Sequence, residues 1–330
     1  TNCGSQASVV DKLINLQKRP EFIVMPGDLL DCPTAPAGDV NPLHFPAVRD
    51  IWGNLIDGLE EQSIPVADGL GNHDLWTGFG GENVKGDIQQ RNKKRIAEGS
   101  LFHPYGISTA DNAANYGNKG YHYTWFFPLK KNGKKVLVAF FMLNNLPGNA
   151  NRTDPGDTGH GHDEGTYAFG ALDYLKASMQ TMACMPDYDY KVGIPMFHIN
   201  YGCDVNGDTH GNPERWWTYA DKKALKEVLD KAPIKIVTAF FGHEHVRSIE
   251  KQTLYIGDRK DPANKTEYSG YRCACSIDKP RLNIIDLELV EENGHCKIKI
   301  TPRFIEVAKL TSTDDCLPTI KEELQSCIEL

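Results

Sequence analysis

The chain has 330 residues, 40% of them hydrophobic, and a formal net charge of −8 at pH 7. That is enough apolar material for one large domain or two small ones, and the acidic balance argues against a general polyanion binder, whose affinity rests on Lys and Arg neutralising phosphates. The longest apolar run, residues 136–143, is far short of the ~20 residues that cross a bilayer, so neither a transmembrane helix nor a nucleic-acid partner is expected.

Residues 7–17 place Val9, Val10, Leu13, Ile14 and Leu16 at helical spacing, the pattern of a helix crossing between two parallel strands. Such a helix implies a strand ahead of it. The apolar run 21–26 predicts the next strand and ends in Gly27-Asp28-Leu29-Leu30-Asp31. After a Pro- and Gly-rich loop to His44, residues 46–59 read as a second crossover helix, with Val48, Ile51, Trp52, Leu55 and Ile56 on one face. A short strand at 64–67 then runs into Gly71-Asn72-His73-Asp74.

The middle of the chain, 75–189, reads as an elaborated insertion. Residues 87–97 suggest a charged surface helix, and 121–127 with 136–143 suggest a hairpin joined across Lys130-Lys131-Asn132-Gly133-Lys134. The Gly- and Asp-rich loop 147–165 is long enough for a site rim or lid, and its His160-Gly161-His162-Asp163 reads as solvated loop because it lacks rigid support. A helix is predicted at 168–182.

A strand at 190–197 ends at His198, and Trp216-Trp217 are expected to pack the start of a helix at 219–231. A strand at 234–241 runs into Gly242-His243-Glu244-His245. Three β-rich segments follow at 265–275, 281–290 and 296–304, the last two joined at Glu292-Asn293-Gly294, and together they are expected to complete a second sheet. Residues 318–330 are predicted to form a terminal helix. With no internal repeat, residues 1–330 read as a single α/β domain whose C-terminal part, 265–330, is β-rich.

Four apolar strands thus each end in groups suited to metal: Asp28, then Asn72 with His73 and Asp74, then His198, then His243 with His245. In an open α/β sheet the carboxyl ends of the strands share one edge, and ligands bind there. Oxygen and nitrogen donors without thiolate suit Mn, Fe or Zn rather than a closed structural zinc.

In order and spacing these blocks resemble the calcineurin-like metallophosphoesterase superfamily, whose signature is Asp-x-His, Gly-Asp-x-x-Asp, Gly-Asn-His-Asp or Glu, a lone His, and Gly-His-x-His. Four of the five blocks occur between Gly27 and His245. The resemblance implies a four-layer α/β/β/α sandwich of two mixed sheets flanked by helices. It also implies two divalent or trivalent transition-metal ions that hydrolyse a small phosphate mono- or diester, through a bridging hydroxide attacking phosphorus in line. Asp28 would bridge the ions, Asn72, His198 and His243 would complete one site, and His245 would serve the other. His73 would donate a proton to the leaving oxygen or stabilise its charge, with Asp74 orienting its ring. The Asp-x-His block, about 30 residues ahead of Asp28 by the length of a βαβ half-unit, is expected with its Asp immediately before Thr1 and its His on or near Asn2. Its true loss would instead give a catalytically silent binding or scaffold protein.

Nine cysteines form no pair of Cys-x-x-Cys units. A Cys3 to Cys32 bridge is plausible, since both follow adjacent parallel strands. With sequons at Asn151-Arg152-Thr153 and Asn264-Lys265-Thr266, these cysteines suggest a secreted or lumenal, disulfide-bonded glycoprotein.

Overall fold

A computed structural model describes residues 19–27, 56, 58–59, 61, 63–69, 71, 122–143, 171–202, 217, 219–244, 248–273, 281–306 and 324–330. Its core is organised on the strand Lys134–Leu143 (β4), buried without interruption from Val136 to Leu143. A strand covered on both faces must be apolar at successive positions, not at alternate ones. β4 pairs antiparallel with Tyr123–Lys131 (β3) and parallel with Tyr190–Phe197 (β5). The β3/β4 turn is Asn132-Gly133, with φ of 50° and 79°. Positive φ at both central positions gives a two-residue hairpin whose twist matches its strands.

Before β3 lie Ile23–Met25 (β1) and Val66–Asp68 (β2), which pair parallel. The helix Ala171–Ala183 (α1) precedes β5, and Tyr219–Asp230 (α2) follows it. Trp217, just ahead of α2, is buried as expected, and its indole donates to the Ile199 carbonyl at 3.2 Å. Lys222 of α2 is buried too and donates to the Tyr201 carbonyl at 3.0 Å.

The predicted strand 234–241 divides into Lys235–Ile236 (β6) and Phe240–Phe241 (β7), both parallel to β5. Gly193 faces Ile236 and Met196 faces Phe240, so three steps along β5 match four on its neighbour. One extra residue, as in a β-bulge, bends a strand and re-aims the side chains beyond it. Here those side chains belong to the Gly242-His243 turn.

Beyond β7, Glu250–Tyr255 (β8) and Lys265–Arg272 (β9) extend the same sheet in the order β3-β4-β5-β7-β9-β8, with β6 beside β5. The segment expected at 265–275 therefore joins the large sheet and not the second one, because Phe240 and Phe241 pair with Tyr271 and Arg272. The separate three-stranded sheet consists of Arg281–Glu292 (β10), His295–Glu306 (β11) and Ser326–Glu329 (β12). Its first hairpin turns at Asn293-Gly294, again with positive φ, 54° and 80°.

The terminal helix expected over 318–330 is corrected for the described residues 324–330, which hold β12, antiparallel to β11. Leu324, Ile328 and Leu330 are half-buried against the core. Their even spacing satisfies the period of two in a strand, whereas a helix would put Leu330 on the face opposite Leu324 and Ile328, and Leu330 donates its amide to the Cys296 carbonyl at 2.9 Å.

The two faces of the β3/β4 hairpin carry different layers. On one face, the Thr124 hydroxyl meets the Tyr174 hydroxyl of α1 at 3.1 Å. On the other, Phe22 sets its ring edge against Trp125 and Phe140, with centroids 5.9 and 5.0 Å away, and the Tyr123 hydroxyl donates to the Asp68 carbonyl at 2.7 Å. Helix, mixed sheet and β1/β2 sheet thus stack as α/β/β. Residues that could form a fourth layer, including the predicted helices 7–17 and most of 46–59, lie outside the described residues. So do 87–97, loop 147–165 and 318–323.

Phe241 has no slack around it. A Cβ at Gly270 would sit 2.6 Å from Phe241 Cζ and 2.7 Å from the Ala239 carbonyl oxygen. Gly270→Ala is expected to destabilise by about 1–3 kcal/mol, the usual cost of overpacking, read as a lower urea midpoint.

Cys184, Cys273, Cys296 and Cys327 are unbridged, while Cys3 and Cys32 lie outside the described residues. Asn264 closes a 3₁₀ turn, Pro262–Asn264, where its side-chain amide donates to the Asp258 carbonyl at 3.0 Å. The other sequon, at Asn151, is outside the described residues. No described helix is long and apolar enough to cross a membrane.

Candidate metal centre

Two of the predicted ligand strands, β5 and β7, run parallel side by side, which brings His198 and His243 to the same edge. The Gly242 amide lies between them, donating to the carbonyls of Phe197 and His198 at 3.3 and 3.1 Å. A Cβ at Gly242 would come within 3.2 Å of His198 Nδ1 and 3.4 Å of Pro26 Cγ. Pro26 follows β1, so the carboxyl ends of β1, β5 and β7 converge on this glycine. The end of β2 is held to the same place, because the Gly69 amide donates to the Met25 carbonyl at 2.7 Å.

At that edge, His198 is buried and His243 half-buried. His243 Nδ1 faces His198 Nε2 at 3.3 Å, with ring centroids 5.1 Å apart and planes at 74°. The two nitrogens are close enough to share a proton in a hydrogen bond. The same separation suits two ligands of one cation: nitrogens ~2.0–2.1 Å from a shared ion and 3.3 Å apart subtend about 107°, close to tetrahedral. Imidazole donors suit Zn, Cu, Fe and Ni, so the pair fits a transition-metal ion.

His243 has φ of 71°, and the Glu244 amide donates to the Gly242 carbonyl at 3.0 Å across it. A three-residue turn with a central φ near +75° is the rare, strained form of the γ-turn. Such a conformation in a side-chain-bearing residue costs on the order of 1–3 kcal/mol and persists only where its surroundings impose it.

The imposing contacts begin at the next residue. The Glu244 carboxylate accepts from Arg272, which also pairs with Glu250, and from Asn200 Nδ2 at 2.9 Å. Asn200, buried and two residues past His198, accepts in turn from the Gly202 amide at 2.7 Å. The network is part-buried, with Asn200 inside and Glu250 at the surface, and paired polar groups away from bulk water hold a specific geometry. This network ties the loop after β5 to the loop after β7. Sequence reading misses Asn200, Glu244 and Arg272. The acid between two histidines is the available signal, but its partner Arg272 is set beside it only by the β7/β9 pairing.

Of the expected site residues, His198 and His243 are brought together. Asp28, Asn72, His73, Asp74 and His245 lie outside the described residues, although Gly27 and Gly71, next to Asp28 and Asn72, are within them. Among the described residues, no group of three or more His, Cys, Asp or Glu side chains gathers as a cation site. Cys273 donates its amide to the Phe241 carbonyl at 3.0 Å, and without a cation beside it desolvation pushes its thiol up to about 12.

No family model matches the chain, and no curated protein matches it by sequence. Two solved structures are similar across most of its length. One, described as "GAP50 the anchor in the inner membrane complex of Plasmodium", is 14% identical, covers 100% of this chain and 85% of its own, and has a TM-score of 0.45. The other, a structure of PhoD, is 10% identical, covers 96% of this chain and 70% of its own, and has a TM-score of 0.43. At these scores neither likeness assigns a family.

Proposed function

We propose that the chain is a metal-dependent phosphoesterase acting on a small phosphate mono- or diester, with a four-layer α/β/β/α fold. In this reading Asp28, Asn72, His198, His243 and His245 hold a pair of divalent or trivalent transition-metal ions, Mn, Fe or Zn. The observation that supports it is the 3.3 Å approach of His243 Nδ1 to His198 Nε2 at the carboxyl ends of adjacent parallel strands.

When bound, such ions lower the pKa of a coordinated water and neutralise charge on the phosphoryl group. The chain's own groups divide the remaining work. The Asp28 carboxylate, two residues past Pro26 in the chain, has two oxygens to offer a pair of ions. Asn72 presents a neutral carbonyl oxygen, which adds no negative charge where an anionic ester must approach. The imidazole of His73 gives its proton to the departing oxygen, and Asp74 holds the ring in the tautomer that does so.

The test is hydrolysis of p-nitrophenyl phosphate and its bis ester, measured beside metal content. His73→Ala is expected to keep its cations while losing ~10²–10⁴-fold in kcat, the usual contribution of a positioned proton donor. A wild-type chain that takes up cations but turns over neither ester would remove the hydrolase and leave a binding or scaffold protein.

A further inference from the structure

The contacts around Glu244 point beyond ligand identity. We propose that Asn200, Glu244 and Arg272 form a positioning clamp for the cation site, setting the distance between the two histidine nitrogens before any ion arrives. The inference rests on the reading of His198 and His243 as ligands of a shared cation.

Each link of the clamp is close to a ligand. Asn200 lies two residues past His198, and Glu244 immediately follows His243. The Asn200 amide donates to Glu244 at 2.9 Å, so one hydrogen bond joins the two loops directly. Arg272 reaches the same Glu244 oxygen, Oε2, from β9, with its guanidinium also on Glu250 of β8. Gln252 of β8 adds an anchor, accepting from the Gly202 amide at 3.2 Å. The clamp therefore ties both ligand loops to the β8/β9 edge of the sheet.

The backbone gives the reason such a device is needed. His243 is held at φ of 71°, a conformation uncommon for any residue that bears a Cβ. The amide of Glu244 closes that turn and its side chain fixes it, so one residue imposes the strain and resists its release. Arg272 also controls charge. Glu244 sits between two histidines, His243 and His245, and its negative charge, if unpaired, would compete to ligate the ion itself. Engaged by the Arg272 guanidinium and the Asn200 amide, the carboxylate has its charge offset by a partner.

Loss of Glu244 leaves Arg272 paired with Glu250 and the Asn200 side-chain oxygen paired with the Gly202 amide, so the chain is expected to fold while cation binding weakens. The experiment titrates the full chain with Co²⁺, following heat and visible absorption, in wild type, Glu244→Ala, Glu244→Gln, Arg272→Gln and His198→Ala. Glu244→Ala is expected to bind Co²⁺ about 10–100-fold more weakly, the range for loss of an outer-shell partner, with an altered spectrum in a cation-free protein that still unfolds cooperatively. Glu244→Gln, which keeps an acceptor for Asn200, should recover part of the affinity. Arg272→Gln provides the same reading if Glu244→Ala does not fold.

Wild-type affinity and spectrum in Glu244→Ala and Arg272→Gln, with binding lost in His198→Ala, would overturn the clamp and leave the ligands standing. A wild-type chain that takes up no Co²⁺, or a His198→Ala variant that binds as wild type does, overturns the cation reading and the clamp with it.

Discussion

Replacing His243 is expected to exchange function for stability. His243→Ala removes one of two imidazole nitrogens 3.3 Å apart, and its loss should lower cation affinity by more than the ~10–100-fold that an outer partner costs. Turnover of p-nitrophenyl phosphate should fall with it. The stability arm separates site from scaffold. His243 has φ of 71°, where a side chain bearing a Cβ is disfavoured by ~1–2 kcal/mol and glycine is not. His243→Gly should therefore match or exceed the cation-free wild type in urea while binding cations no better than His243→Ala. A glycine variant less stable than the alanine variant would show that the turn is not strained.

The second large effect lies one layer beneath. Phe241 is fully buried, 4.4 Å from the Tyr201 ring and 6.0 Å from Phe197, centroid to centroid. Gly270 closes against the same ring. Phe241→Ala is expected to cost about 3–5 kcal/mol, transfer and cavity together. Against a total domain stability of about 5–15 kcal/mol, that is a large share. Because Phe241 precedes the Gly242-His243 turn, cation affinity should fall in the same variant even where it remains folded. Equilibrium unfolding with Co²⁺ titration checks both. A loss of less than ~1 kcal/mol would mean that the aromatic cluster collapses into the gap.

How far these features can be read in the sequence depends on whether they are local. Residues 136–143 announce a buried strand by an unbroken apolar run, and Asn132-Gly133 and Asn293-Gly294 announce their turns because few other residues accept positive φ twice in succession. His198 and His243 are legible for a similar reason, each closing an apolar strand. What escapes is relational. The extra residue between Ile236 and Phe240 exists only in the register against β5. β8 carries Glu250, Lys251, Gln252 and Thr253, and so polar an edge strand leaves no period-two apolar signal. Arg272 reaches Glu244 because β9 pairs with β7, whereas its place in the chain, just ahead of β10 and β11, suggests the other sheet. The terminal strand reads as helix because Ile320, Leu324 and Ile328 recur every four residues, a helical stripe that only Leu330 breaks.

The most direct test of the paired histidines is anomalous diffraction from crystals soaked in Mn²⁺ or Co²⁺. A peak ~2.0–2.2 Å from both His198 Nε2 and His243 Nδ1, a distance typical of metal–imidazole bonds, is the predicted result. A cation that settles elsewhere, with the two rings still hydrogen-bonded to each other, would contradict it.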